Sequence, residues 1–156
     1  MEKTNVMRLL DAAKISYVAR SYNPEITDGK LVADAVGQER ERVFKTLVAV
    51  SNTAEKLVFV IPVSTTLDLK KAAKAAGVKS VEMLPQAELL PLTGYVHGGC
   101  SPIGMKKSFP TFFHSSCLNY DYIYVSAGQR GLQLKINPQQ LVDYVRASVA
   151  DITAAQ

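Results

Sequence analysis

The sequence has no tryptophan, two cysteines and two histidines in 156 residues, and each shortage excludes something. Cys100 and Cys117 have no metal-ligand spacing, and His97 and His114 stand in neither an HxxxH nor an HxxE arrangement, so no metal site is expected. Two cysteines in a chain read as cytoplasmic are free thiols rather than a disulfide. The absence of tryptophan and of an RRM-type aromatic signature leaves base-stacking recognition of RNA without support. No window approaches eighteen consecutive apolar residues, which excludes a transmembrane helix. Met1-Glu2-Lys3-Thr4-Asn5 lacks a basic segment followed by an apolar one, so no signal peptide and a cytoplasmic protein are expected. Neither GxxxxGK[ST] nor GxGxxG occurs, and Asp68, Glu82, Glu88 and Asp121 are too scattered to read as a carboxylate pair.

What remains is ordinary globular material: 47% hydrophobic, 21% charged, net charge +4. The length fits one domain, 1–156, with a core that needs no staples. The positive balance permits a polyanionic partner without requiring one.

The elements follow from periodicity and punctuation. Thr4 reads as an N-cap, and Val6, Leu9, Leu10 and Ala13 recur at helical spacing. Ile15 to Tyr22 is a strand, Asn23-Pro24 and Asp28-Gly29 are turns, and Leu31 to Val36 is a short helix stopped by Gly37. Val43 to Val50 and the apolar run Leu57 to Val63 are strands. Leu67 to Ala76 is a helix stopped by Gly77, and Val78 to Met83 is a strand. A helical turn or two follows at Pro85 to Leu90. Thr111-Phe112-Phe113, Tyr122 to Val125 and Leu132 to Ile136 complete the strands, the last two joined by the tight turn Ser126 to Gly131. Asn137-Pro138 opens a closing helix, and Thr153 to Gln156 read as frayed. About seven strands and four or five short helices without strict β-α-β alternation give an α+β fold. Its sheet is mixed and partly barrel-like, with flanking short helices.

Three features can carry chemistry. The first is Gly94 to Lys107, in which four glycines and Pro102 make a semi-rigid loop that offers peptide groups, followed by Lys106-Lys107. It is equally a connecting loop near a sheet edge. The second is Lys45. Alternation puts it on one face with Val43, Leu47 and Ala49, so it either points inward into a cleft or is solvated opposite a core face made by Phe44, Val48 and Val50. The residues alone favour the solvated reading. The third is the lysine set Lys70, Lys71 and Lys74, which can meet RNA phosphates or simply face water. Cys100 could be a nucleophile if its pKa were lowered, but a half-buried thiol is the better reading.

Taken together, Val43-Phe44-Lys45-Thr46-Leu47, Asp68 to Lys74, Thr93-Gly94-Tyr95 with Gly98 through Lys107, and Tyr124 to Gly131 resemble the YbaK/EbsC family. These are freestanding relatives of the editing domain of prolyl-tRNA synthetases, and the likeness is greatest to the Cys-tRNA(Pro)/Cys-tRNA(Cys) deacylase branch. The resemblance implies hydrolytic editing of misacylated tRNA without metal or cofactor, with the aminoacylated 3′ end as ligand, prolyl-tRNA synthetase as partner and no membrane. The family's invariant lysine falls on Lys45, which reverses the solvated reading. Its GxxxP loop falls on Gly98 to Pro102, with Gly99, Cys100 and Ser101 between. Ser126 stands where related editing domains carry histidine, a departure from the alanine-editing relatives, and Tyr22 lines the pocket in the same scheme. In the cysteine branch the substrate's own thiol attacks its carbonyl, so Lys45, Gly98 and Ser126 act by positioning, and Cys100→Ser is nearly silent. Lys70, Lys71 and Lys74 are the candidate contacts to the tRNA backbone. The alternatives are an alanine- or serine-editing deacylase and a non-catalytic tRNA- or synthetase-binding module.

Overall fold

The computed structural model describes residues 2–155. Side-chain caps set the helix starts. Thr4 caps α1 (Asn5–Ala12), accepting from the Met7 amide, and Val6, Met7 and Leu10 turn inward. Asp28 caps α2 (Gly29–Ala35) and Asp68 caps α3 (Leu69–Ala76), which Gly77 ends with a left-handed φ of 70°. A short α4 (Leu89–Thr93) precedes the glycine-rich loop, and Asn137 with Pro138 starts α5 (Pro138–Tyr144).

Among the described residues, eight strands form two sheets. The first is β1 (Tyr17–Ser21), β7 (Leu132–Ile136) and β6 (Ile123–Ser126), in that spatial order and antiparallel. The second has the order β4 (Val81–Met83), β2 (Phe44–Ser51), β3 (Lys56–Pro62), β5 (Thr111–His114), β8 (Ser148–Ala150). Its β2–β3 hairpin and β2–β4 pair are antiparallel, whereas β3–β5 and β5–β8 run parallel. The sheet is therefore mixed, as its sequence implies.

The continuous apolar run of β3 is explained by cover on both faces. Leu57, Phe59 and Ile61 pack with Ala72 and Ala73 of α3, with Phe59 stacked on Phe112 at 5.4 Å between ring centroids. Val58 and Val60 join the larger core with α1, α5 and the small sheet. A strand buried on both sides cannot alternate in polarity.

Among the described residues the two sheets meet at one parallel bridge, Val43 to Tyr124. The same edge of β2 is taken by β4 only at its far end, Ala49 to Ser51. Between these points the edge of β2 opens, so the strands curl towards a barrel that does not close.

Two expectations are corrected. Residues 148–150 form an eighth strand that the sequence did not announce. Thr153 is not frayed: it is 7% exposed, bridges Leu67 and shares a 3.1 Å hydrogen bond between its Oγ1 and His114 Nε2. The Ala154 amide donates to the Thr66 carbonyl as well. Thr66 and His114 supply partners that polarity along the tail cannot reveal. Gln156, grouped with the frayed tail, lies outside the described residues.

Candidate active site

A cavity of about 300 Å³ opens where β2 and β6 part, under the start of α2 and the loop 97–100. Register fixes what points into it. Lys45 pairs with Ile61 and Leu47 with Phe59 across the β2–β3 hairpin, so Lys45 shares a face with core residues. The solvated reading of the bare sequence is thus overturned: Lys45 interrupts an apolar face between Val43 and Leu47. Its ammonium makes no hydrogen bond or ion pair among the described residues. Burial pushes its pKa below that of an ordinary lysine, a shift that Asp28 opposes through space and Lys30 reinforces.

Ser126 ends β6 opposite Gln133 of β7, and both line the cavity. The Ser126 Oγ accepts from the Gly128 amide at 3.1 Å, which holds the hydroxyl in place and leaves its proton free to be donated. Gly98 has φ +87°, and a Cβ there would lie 2.9 Å from Thr27 Cγ2. A Cβ on Gly99 would lie 3.0 Å from the backbone of Gln129 and Arg130. Both glycines let the loop press against its neighbours.

Of the residues singled out in the sequence, Lys45, Gly98, Cys100 and Ser126 line this cavity. Gly99 packs behind it against the β6–β7 turn. Ser101 is fully buried, with its Oγ accepting from the Ile103 amide at 3.3 Å, and it shapes the loop rather than the wall. Pro102 borders a different cavity, of about 380 Å³, shared with Tyr144 and Arg146. Tyr22 does not line the site: its amide donates to the Gly131 carbonyl at 2.9 Å, and its hydroxyl is buried without a partner. Lys70 and Lys74 are exposed on α3, away from the cavity. Lys71 is already engaged, with its Nζ 3.1 Å from Asp151 Oδ2 and 2.9 Å from the Thr153 carbonyl.

Cys100 is buried, and that burial pushes its thiol up to about 12, the reverse of an activated nucleophile. Among the described residues no three histidine, cysteine, aspartate or glutamate side chains cluster to hold a metal ion.

Sequence reasoning missed Asp28, Thr46 and Gln133, all on the cavity wall. Asp28-Gly29 carried only a turn signal. Gln133 sits in an alternating strand, and Thr46 follows the conspicuous Lys45. Thr46 Oγ1 and Gln133 Oε1 are buried without hydrogen-bond partners. Tyr22 Oη, Arg42 Nε and Tyr124 Oη are likewise buried without hydrogen-bond partners among the described residues, and these three residues lie off the cavity wall.

A free ammonium, an aligned hydroxyl and a glycine-shaped backbone loop gather at one cavity, with no lowered thiol beside them, an arrangement suited to positioning and electrostatics. The chain belongs to the aminoacyl-tRNA editing domain family, whose pattern matches residues 23–144. It is 43% identical over 157 aligned residues to EbsC of Enterococcus faecalis, a candidate Cys-tRNA(Pro)/Cys-tRNA(Cys) deacylase, covering 99% of this chain and 96% of that one. Its fold is that of two crystal structures. One is a candidate trans-editing enzyme for prolyl-tRNA synthetase, with a TM-score of 0.83, 24% identity, and 99% and 100% of the two chains covered. The other is a hypothetical protein, with a TM-score of 0.89, 22% identity, and 97% and 100% covered.

Proposed function

We propose that this chain is a freestanding aminoacyl-tRNA deacylase that releases cysteine from Cys-tRNA(Pro), acting as one unit over residues 1–156. The observation that carries the reading is the convergence of Lys45, Ser126 and the Gly98–Cys100 backbone on one cavity that holds no activated nucleophile. Family membership and the likeness to EbsC support it.

An aminoacyl ester is already activated, so holding it correctly can supply much of the rate. The substrate's sulfur attacks its own carbonyl, a C–S bond forms and the ester C–O bond breaks. The thiol proton goes to the departing ribose oxygen, leaving a thiolactone and free tRNA. Lys45 supplies positive potential to the terminal phosphate and to the carbonyl oxygen. Peptide groups of Gly98 to Cys100 seat the carbonyl, and Ser126 orients the thiol. The reaction is lyase-like in releasing a ring, and hydrolytic overall once the thiolactone opens.

The protein works in the cytoplasm, with prolyl-tRNA synthetase as a source of tRNA identity. No helix among the described residues is long and apolar enough to cross a membrane. Lys70 and Lys74 are left as contacts to the tRNA backbone.

The test is turnover of Cys-tRNA(Pro) and Ala-tRNA(Pro) by wild type and Lys45→Ala. Rapid loss of the cysteinyl ester alone, abolished in the variant, upholds the reading. Loss of the alanyl ester instead moves the specificity, since pocket size discriminates by only about 1–3 kcal/mol per methylene-sized difference. Loss of neither makes this a binding module.

A further inference from the structure

The cavity has two charged side chains in its wall, Lys45 and Asp28. They face the same space without touching, because no Asp28 oxygen lies within 4.0 Å of the Lys45 ammonium. The segment carrying Asp28 is held from both sides. Thr27 abuts Gly98, where an added Cβ would be 2.9 Å from Thr27 Cγ2. Gly29 abuts the end of β3, where an added Cβ would be 2.6 Å from Val63 Cγ1. The start of α2 is thus wedged between the glycine loop and the large sheet.

The orientation of the carboxylate is fixed as well. Its Oδ1 accepts from the Lys30 amide at 2.9 Å and the Leu31 amide at 3.3 Å. Its Oδ2 has no hydrogen-bond or ion-pair partner among the described residues. One oxygen therefore holds the helix, and the other is available to the cavity. Lys45 is half-buried and its ammonium carries a desolvation cost, whereas Asp28 is exposed at the edge of the same cavity, so the lysine is open to a ligand's negative charge and the carboxylate to its positive one.

We infer that Asp28 receives the free α-ammonium group of the aminoacyl ester, and so restricts the site to aminoacyl esters whose amine is unblocked. The inference rests on the deacylase reading above. An aminoacyl ester carries its ammonium one carbon away from the carbonyl, whose oxygen gains negative charge as the ester is attacked. That order of charges mirrors Asp28 and Lys45 across the cavity. N-acylation removes the positive charge and adds bulk beside the carboxylate, so peptidyl and N-formylated esters are excluded by the same residue. Thr46 and Gln133, which line the same cavity, are neutral and cannot replace the charge.

The experiment compares Cys-tRNA(Pro) with N-acetyl-Cys-tRNA(Pro), using wild type, Asp28→Asn and Asp28→Ala. N-acetylation leaves the substrate thiol in place, so a difference between the two esters reports on the amine and not on the thiol. Asparagine caps a helix as well as aspartate does, so Asp28→Asn removes the charge and keeps α2. Asp28→Ala removes both, and its melting temperature shows the share owed to the cap.

The expected result is at least tenfold preference of the wild type for the free amine. In Asp28→Asn that preference shrinks towards unity, through a rise in KM on the free-amine ester at unchanged melting temperature. Equal turnover of the two esters by wild type, or an undiminished preference in Asp28→Asn, overturns the inference while the deacylase reading stands. Turnover of neither ester by wild type overturns the deacylase reading and this inference with it.

Discussion

Arg130 Nε donates a 2.8 Å hydrogen bond to the carbonyl of His97, joining the β6–β7 turn to the loop that roofs the cavity. The same guanidinium lies 3.4 Å from where a Cβ of Gly98 would be, so the turn packs directly against the loop. Arg130→Ala is expected to lower deacylation about tenfold through misplacement of Gly98. Because Arg130 is exposed, the melting temperature should change by no more than about 2 °C, consistent with roughly 1 kcal/mol or less. Paired kinetics and melts check this, and a large melting shift would make the contact structural rather than functional.

Lys45 poses stability against activity. Burial disfavours its ammonium, so in the folded protein the group loses its proton below the ordinary lysine value of 10.5. The unfolded chain then binds more protons across the interval between the two values. Stability contributed by this residue therefore rises as pH climbs through that interval, and the proposed role of the charge predicts that deacylation falls across it. Lys45→Met should reduce turnover at least about 100-fold, the scale of losing one electrostatic contact to a reacting oxygen. It should also raise the melting temperature at neutral pH, by about 2–4 °C for each kcal/mol gained in a chain of this size. A variant that is both inactive and less stable would show that Lys45 holds the fold.

Gly98→Ala meets two obstacles at once. Its φ of +87° is unfavourable for an L-residue, by about 1–2 kcal/mol, and the new methyl collides with Thr27. A melting drop and near-complete loss of deacylation are expected. Adding Thr27→Ser, which deletes the colliding Cγ2, should recover part of the activity but not the backbone cost.

The Cys100 thiol, pushed up to about 12 and 9% exposed, should resist alkylation at pH 8. Cys117, fully buried and pushed up to about 11, should behave similarly. Mass spectrometry after iodoacetamide treatment should find both unmodified while the fold is intact, and both modified in denaturant. Fast native modification of Cys100 would return it to consideration as a nucleophile.

Most of the fold can be read along the chain because its signals are local. Thr4, Asn137-Pro138 and Gly77 act within a turn of themselves, and the run Leu57 to Val63 declares a strand covered on both faces. Lys45 is different. Alternation identifies its face but not what covers that face, and the start of α2 with the loop 97–100, the latter distant in sequence, decides the matter. Asp28 reaches the cavity only because Gly29 lies against Val63, a contact with no trace in neighbouring residues, and Gln133 reaches it because β6 and β2 part, which the legible β6–β7 hairpin does not reveal. β8 is missed for a related reason: three residues at the end of a parallel ladder need no alternation of their own.

The parallel pairing of β8 with β5 also governs how the protein comes into being. The large sheet begins with a local hairpin, β2–β3, but its far edge needs residues 148–150 beside residues 112–114. Thr153 then ties the tail to Leu67, more than eighty positions back along the chain. During synthesis the β5 edge stays unprotected until that last strand leaves the ribosome, so a chaperone that shields exposed strand edges has its window there.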